Sequence, residues 1–410
     1  MDSIYPKRLL GDLVEILTDG THHSPKTTSG PYLYITSKNV KFGCLDLNNV
    51  SYIAADEHEP IFQRCPVKKG DLLLTKDGAS TGNAAINILD KPFSLLSSVA
   101  LIRGKKGILN NNYLLQYILS TRGQYLLKSE IEGQAITRLT LKKISKFPVP
   151  LPSYQEQITI SEFLSIWDAA IEKTELLIAA KEAVKNGLLQ RLVFGKVRMG
   201  GRKNSGIAEG KWFSIPSDWK RAKIGLVAKE VSRKNTNGDS LPVLSCTKHQ
   251  GLVDSLEYFD KQVFSKDTST YKVVQKGQFA YATNHIEEGS IGYQSIYPKG
   301  LISPMYTVFT TDPKKINDGY LYKLLKTETY RRIFAINTNA SVDRRGSLRW
   351  KDFAKLPIPL PSLSEQERID EVLSTAQQEI DLLQIDLELL KKQKRGLMQK
   401  LLTGQWRVKV

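Results

Sequence analysis

The sequence predicts an α+β protein: two mixed α/β domains, each followed by a long helix, with the two helices paired as an antiparallel coiled coil. Three observations carry that expectation. The segment Leu151-Pro-Ser-Tyr-Gln-Glu-Gln157 returns 209 residues later as Leu360-Pro-Ser-Leu-Ser-Glu-Gln366. Each copy closes an alternating proline bridge, Phe147-Pro-Val-Pro-Leu-Pro152 and Leu356-Pro-Ile-Pro-Leu-Pro361. A seam of apolar residues at steps of three and four follows each copy. A period this long is no solenoid repeat; it describes two domain-plus-helix modules in tandem.

The first globular stretch reads as short strands, Tyr32–Ile35, Asp71–Thr75 and Ser98–Ile102, separated by Gly-Asp, Asp-Gly and Lys-Gly turns. A helix over Asn112–Ser120 starts behind an asparagine that can cap it. The second stretch repeats the outline loosely. Val67-Lys-Lys-Gly-Asp71 corresponds to Val274-Gln-Lys-Gly-Gln278, and Asn112-Tyr-Leu-Leu115 to Gly319-Tyr-Leu-Tyr322. Between those anchors the two stretches differ almost everywhere.

The proline bridges enforce extended backbone and stop either neighbour from running through. Ser153 and Ser362 then stand as helix N-caps, with Glu156 and Glu365 three residues on to complete capping boxes. In the first helix Ile160, Leu164, Trp167, Ile171, Thr174, Ile178, Lys181, Lys185, Leu188 and Leu192 mark a heptad seam. In the second the seam is Ile369, Leu373, Ala376, Ile380, Leu383, Leu387, Leu390, Lys394, Leu397 and Leu401. Matched length, matched phase and a shared lysine interruption favour mutual pairing over two helices lying on separate domains. Each rod spans roughly 60 Å at about 1.5 Å per residue. The expected boundaries are 1–150 and 212–359 for the domains, 151–198 and 360–410 for the helices, and 199–211 for a flexible linker. A short linker connects the far end of helix one to domain two most easily when the helices run antiparallel.

With 41% hydrophobic and 25% charged residues the 410-residue chain is ordinary globular material, but its formal net charge is +17. Such an excess favours a polyanionic partner through steering and counterion release. Cys44, Cys65 and Cys246 are too scattered for a zinc ribbon or a disulfide framework and read as small buried hydrophobes. No signal-peptide-like run opens the chain and no stretch of 18 apolar residues occurs, so the expected location is cytoplasmic with no membrane partner. The sequence holds no phosphate-binding loop, dinucleotide fingerprint, His-Glu-x-x-His or serine elbow, and no Asn/Asp-Pro-Pro-Tyr/Phe methyltransferase tetrapeptide. His22 and His23 lack further ligands nearby, so no metal site is expected. Lys76-Asp77 reads as a turn rather than a nuclease pair. The expectation is a protein that is not an enzyme.

The modules with proline junctions and long helices resemble the DNA-specificity (S) subunit of type I restriction-modification systems. The resemblance covers essentially the full chain. It rests on Gly20-Thr21-His22, Lys69-Gly-Asp-Leu-Leu73, Trp219 and Gly225, both Leu-Pro-x-x-x-Glu-Gln segments, Gly187-Leu-Leu-Gln-Arg-Leu192, and Gly396-Leu-Met-Gln-Lys-Leu-Leu-Thr-Gly404. Tyr5 departs from the pattern, since a tryptophan is common there.

The resemblance implies two target recognition domains, each reading half of an asymmetric bipartite duplex DNA site. It implies that the repeated helices form a spacer and dock two methyltransferase (M) subunits, with restriction (R) subunits joining the full complex. This chain would bind no cofactor. S-adenosylmethionine would belong to the methyltransferase, and ATP and Mg²⁺ to the restriction partner. Polar turns beside strands nominate the DNA contacts: Thr21, His22, Lys38, Asn39, Lys76 and Arg138 in module one, and Lys248, His249, Asn284, His285, Arg344, Arg345 and Arg349 in module two. The alternative is a non-catalytic coiled-coil scaffold whose domains touch nucleic acid nonspecifically. A standalone nuclease or methyltransferase ranks third.

Overall fold

In the computed structural model, residues 3–131, 138–199, 206–339 and 347–409 are described. They form two compact units, Met1–Leu176 with Gln384–Val410, and Leu177–Leu383. Two 39-residue helices, Tyr154–Leu192 and Leu363–Leu401, each contribute to both units.

The first unit is built on a four-stranded sheet with strands in the order Val14–Asp19, Val99–Gly104, Leu72–Thr75, Ala84–Ile86, every pairing antiparallel. Both faces of Leu72–Thr75 are buried, as its unbroken apolar run dictates. The helix Asn111–Leu119 covers one face, its start capped by the Asn110 side chain, which accepts from Asn112 N at 2.9 Å and Tyr113 N at 3.1 Å. A mixed three-stranded sheet, Ser51–Ile53, Tyr32–Ile35 and Ser94–Leu95, lies beyond.

The second unit repeats that strand order with different residues: Ala228–Val231, Tyr306–Thr311, Phe279–Ala282, Ile291–Tyr293, again antiparallel throughout. Gly70 and Gly277 open the central strand of each sheet from the same left-handed turn, with φ of +86° and +88°. Only glycine enters that conformation without strain.

The proline bridges are strands. Pro148–Pro150 pairs with Lys7–Leu9, and Pro357–Leu360 with Lys220–Lys223. In the first, Phe147 O and Leu151 N make the flanking hydrogen bonds, so the prolines between them turn their missing donors away from the partner. Behind each bridge the expected glutamine does the same work twice. Gln157 Oε1 accepts from Asn110 N at 2.9 Å while Nε2 donates to Ile108 O and Pro152 O. Gln366 Oε1 accepts from Asn317 N at 2.8 Å while Nε2 donates to Lys315 O and Pro361 O. Tyr113 and Tyr320 donate their hydroxyls to Pro150 O and Pro359 O in the same way.

Within each unit the long helices run antiparallel. In the first, Lys394 pairs with Asp168 and Lys391 with Glu175 at 2.9 Å, so rising numbers on one helix meet falling numbers on the other. In the second, Lys181 pairs with Glu379 and Lys185 with Gln377, both at 2.6 Å. The lysines that interrupt the heptad seam thus find partners across it. Ile160, Leu164, Ile178, Leu192, Ile369, Leu373, Ile380 and Leu401 are buried, and Trp167, Ile171, Leu188, Leu383, Leu387, Leu390 and Leu397 half-buried. Toward the outer ends the seam also serves the domains. Ile160, Leu164 and Leu401 join the core of the first sheet and helix, and Leu192, Ile369 and Leu373 that of the second.

The start of each long helix is clamped by an arginine from a remote segment. Arg407 grips Glu156 through Nε at 2.7 Å and a second nitrogen at 3.0 Å. Arg198 grips Glu365 at 2.9 and 3.2 Å, and also Asp218. Glu156 completes the expected capping box with Ser153. An aromatic ring stands beside each clamp, Tyr5 under Arg407 and Trp219 under Arg198, and Trp219 Nε1 donates to Glu365 at 3.2 Å. Gly195 and Gly404 lie against those rings with positive φ; a Cβ on Gly195 would collide with Pro216, and one on Gly404 would press on Tyr5.

Two expectations need correction. The segment 199–211 is not wholly a free linker, because Ile207–Ala208 pairs with Ile215–Pro216 and Arg221 donates to Ala208 O and Glu209 O. Among the cysteines only Cys65 is fully buried; Cys246 is half-buried and Cys44 exposed. Burial pushes both Cys65 and Cys246 up to about 12, so neither is a thiolate at neutral pH. Among the described residues no helix is long and apolar enough to cross a membrane.

Two predictions follow from the clamps. The Arg198 and Glu365 side chains are each 2% exposed, so Arg198→Ala strands a buried carboxylate and should cost about 3–5 kcal/mol in chemical denaturation. In the first unit, hydrogen bonds from Arg407 and Ser153 hold the Glu156 carboxyl below its ordinary value. Its contribution is therefore present above the unfolded-state pKa of about 4.3 and is lost as pH falls through the lower folded value. The Tm difference between the protein and Glu156→Gln should be full at neutral pH and shrink in that acid range.

Candidate nucleic-acid interface

Backbone hydrogen bonds gather most of the polar turns of the first unit at one edge of its sheets. Thr21 N donates to Leu95 O at 2.8 Å, and Ser97 N to Thr21 O at 2.8 Å. Lys76 N donates to Ser98 O and Leu139 N to Lys76 O, while Ser37 N reaches Ser98 Oγ at 3.3 Å. Thr21, His22, Lys38, Lys76 and Arg138 therefore meet where the strands end. The Gly20 that precedes them is required by close approach: a Cβ there would collide with the Leu95 carbonyl.

Their charges alternate about two carboxylates. Asp19, almost fully buried, contacts Arg64 at 2.7 Å, Lys76 at 3.4 Å and His22 at 3.4 Å. Asp77 contacts Lys76 at 2.9 Å and Arg138 at 3.6 Å. Arg64, Arg138 and His22 keep about half or more of their side chains exposed while anchored from below. Anchoring reduces the entropy a long cation loses when it grips a phosphate. Arg64, the last residue of the helix Ala55–Arg64, was missed by sequence reasoning. Its partner lies 45 positions away, and nothing local marks the pairing.

Two nominated residues are corrected. Lys76 has only 3% of its side chain exposed and sits between Asp19 and Asp77. Its charge is consumed inside the unit. Asn39 is buried as well. Its Oδ1 accepts from Thr36 N at 3.0 Å and its Nδ2 donates to Asp46 O and Asn49 O, which makes it a brace of its own loop. Lys38 beside it is exposed.

The second unit has the corresponding edge. Leu348 N donates to Thr283 O at 2.9 Å, the counterpart of Leu139 to Lys76. This bond brings exposed Arg349 to the end of Phe279–Ala282, where Asn284 and His285 follow. His285 lies 3.4 Å from Glu288, so that turn is less cationic than its histidine suggested. Lys248 and His249 lie at the tip of the hairpin formed by Leu244–Thr247 and Gly251–Asp254, where Lys326 Nζ ties the Lys248 carbonyl to that of Gly289. Arg344 and Arg345 lie outside the described residues.

Substitutions at buried and at exposed members of this network should differ in their effects. Lys76→Met leaves two carboxylates facing each other and should cost about 3–5 kcal/mol. Arg138→Ala, on an exposed side chain, should stay within about 0.5 kcal/mol while weakening duplex binding and flattening its salt dependence. Denaturation and salt-titrated binding of both variants check this.

Comparison with known proteins accords with the arrangement. Residues 5–181 and 216–392 each match the family described as "Type I restriction modification DNA specificity domain". The type I restriction enzyme MjaVIII specificity subunit of Methanocaldococcus jannaschii is 26% identical over 84% of this chain and 80% of its own length. The putative type I restriction enzyme MjaX specificity subunit of the same organism is 24% identical over 98% of this chain and 93% of its own. The crystal structure of a type I restriction-modification S subunit from M. genitalium, 14% identical, shares the fold with a TM-score of 0.57, over 97% of this chain and 96% of that one. With both repeats matched, the chain belongs to the type I restriction-modification specificity family, whose members are non-catalytic subunits directing DNA recognition for a methyltransferase and restriction complex.

Proposed function

We propose that each unit reads one half of an asymmetric, bipartite duplex DNA site and that the paired helices act as the spacer between the halves. The observation that carries this reading is a frame built twice with its edge rewritten. Strand order, proline bridge and helix clamp are repeated, whereas the strand end carries Lys76 and Asp77 in one unit and Thr283 and Asn284 in the other. Two different edges suit two different half-sites. Exposed cations hold phosphates, and neighbouring polar side chains reach base edges. Thr21, His22, Lys38, Arg138, Asn284, His285 and Arg349 remain the proposed contacts, and Arg64 joins them. We assign 1–150 and 212–359 to target recognition domains, and 151–198 and 360–410 to spacer helices.

Two methyltransferase subunits are the proposed partners of those helices. Ile166, Leu176, Ile385 and Leu389 in the first unit, and Leu177, Val184 and Leu382 in the second, are exposed apolar side chains on helices otherwise rich in charge. Apolar side chains grouped in this way suit a protein cover. S-adenosylmethionine then belongs to the methyltransferase, and ATP and Mg²⁺ to restriction subunits that join, all in the cytoplasm with the DNA.

Reconstituted methylation tests the reading. The methyltransferase partner should modify a split motif with a fixed gap only when this chain is present. Replacing residues 1–147 should change one half-site and leave the other. Methylation of the same sites by the partner alone, or a continuous palindrome as the motif, would overturn it.

A further inference from the structure

A cavity of about 620 Å³ opens within the second unit, beside the turn that follows the strand-end edge. Lys185, Lys248, Lys323, Lys326 and Arg331 line it against a single carboxylate, Glu288. Lys323 is neutralised by Asp370. Lys185 and Lys326 are not so matched. Lys185 Nζ donates to the neutral Gln377 side chain at 2.6 Å, and Lys326 Nζ donates to the carbonyls of Lys248 and Gly289, both at 2.8 Å. Arg331 contacts Glu328 on one side, but its buried Nε has no hydrogen-bond partner. Glu288 is already engaged by His285. Burial, reinforced by Arg331, pushes the Lys326 ammonium below its ordinary value, as expected of a cation lacking a counter-charge.

The first unit supplies an internal control. Gly82 and Gly289 share a φ of +97°, and Ser120 and Thr327 cap the same helix junction through equivalent bonds. In that register Lys323, Lys326 and Arg331 correspond to Gln116, Leu119 and Gln124. Lys185 corresponds to Lys394, which is neutralised by Asp168 where the second unit has Gln377. The fold therefore does not require this positive charge. Lys323 and Arg331 arrive with carboxylates of their own, Asp370 and Glu328, where the first unit has Ser161 and Thr121, whereas Lys326 is gained without one and Lys185 loses the balancing Asp168.

We propose that this cavity is a binding site for a nucleoside phosphate, with the phosphates on Lys326, Arg331 and Lys185. The volume lies within the range of small-ligand sites, about 300–1,000 Å³, and is far too small for a duplex. Tyr322, which also lines the cavity, offers a flat ring to a base. Lys185 and Lys326, which have no carboxylate partner, together with the unpartnered Nε of Arg331, match a polyphosphate chain better than a single carboxylate ligand.

Calorimetry on the full chain, with ATP, inorganic pyrophosphate and adenosine as separate probes, tests the site. ATP should bind saturably, pyrophosphate more weakly, and adenosine not measurably. Arg331→Gln and Lys326→Leu install the residues that the first unit carries in the same frame, and each should weaken ATP at least tenfold. Lys185→Gln gives a further readout should Lys326→Leu fail to fold. Absence of ATP binding, or binding unchanged in Arg331→Gln and Lys185→Gln, overturns the proposal. Displacement of bound ATP by any duplex, irrespective of sequence, would assign the cations to DNA phosphates and overturn it equally.

Discussion

Glu156 and Glu365 sit in the first turn of the two long helices, and each accepts a two-pronged grip from an arginine far away in the chain. The pairing holds together segments that chain connectivity alone would leave apart. A carboxylate there complements the positive end of the helix, and the guanidinium compensates its burial through two charge-assisted hydrogen bonds. Around that point the glutamine next in sequence ties the helix to the domain, and the ring beneath the arginine closes the core. Remove the grip and the helix start, the bridge and the packed ring lose their common anchor.

Because the arginine and the glutamate come from different repeats, neither repeat forms a unit alone. The clamp in the first unit takes its glutamate from the first repeat and its arginine from the second, and the clamp in the second unit takes them in reverse. Domain sequence can then vary freely between the anchors. The sheets have the same strand order with few shared residues, yet the clamp, the glutamine and the bridge tyrosine recur. Sequence varies where strands end, and the clamp recurs where helices begin.

What the sequence made legible was periodic or covalent. The heptad seams and the proline bridges depend on neighbours within a few residues, so spacing alone revealed them, and a capping asparagine was expected although the helix starts one residue before Asn112. The polar edge was legible in part: Thr21, His22 and Arg138 were found from turn composition. The buried state of Lys76 and Asn39 was not, because it arises from partners such as Asp19 and Asp46 brought in by the fold. Arg198 and Arg407 occupy matching positions of the two repeats, but their partners stand 167 and 251 positions away. Arg64, Lys326 and Arg331 were missed for the same reason: their surroundings are assembled by tertiary contacts.

The division of the chain also bears on how it is made. The first unit needs residues 384–410, whereas the second is continuous from 177 to 383. During synthesis the second unit can therefore close first, although its sequence emerges later. Until residues 384–410 leave the ribosome, Glu156 lacks Arg407, and Ile160 and Leu164 lack Met398 and Leu401 of their core. The amino-terminal half must wait with an apolar helix face uncovered, the kind of surface chaperones hold. A stop codon a few dozen residues early would thus do its damage at the beginning of the protein.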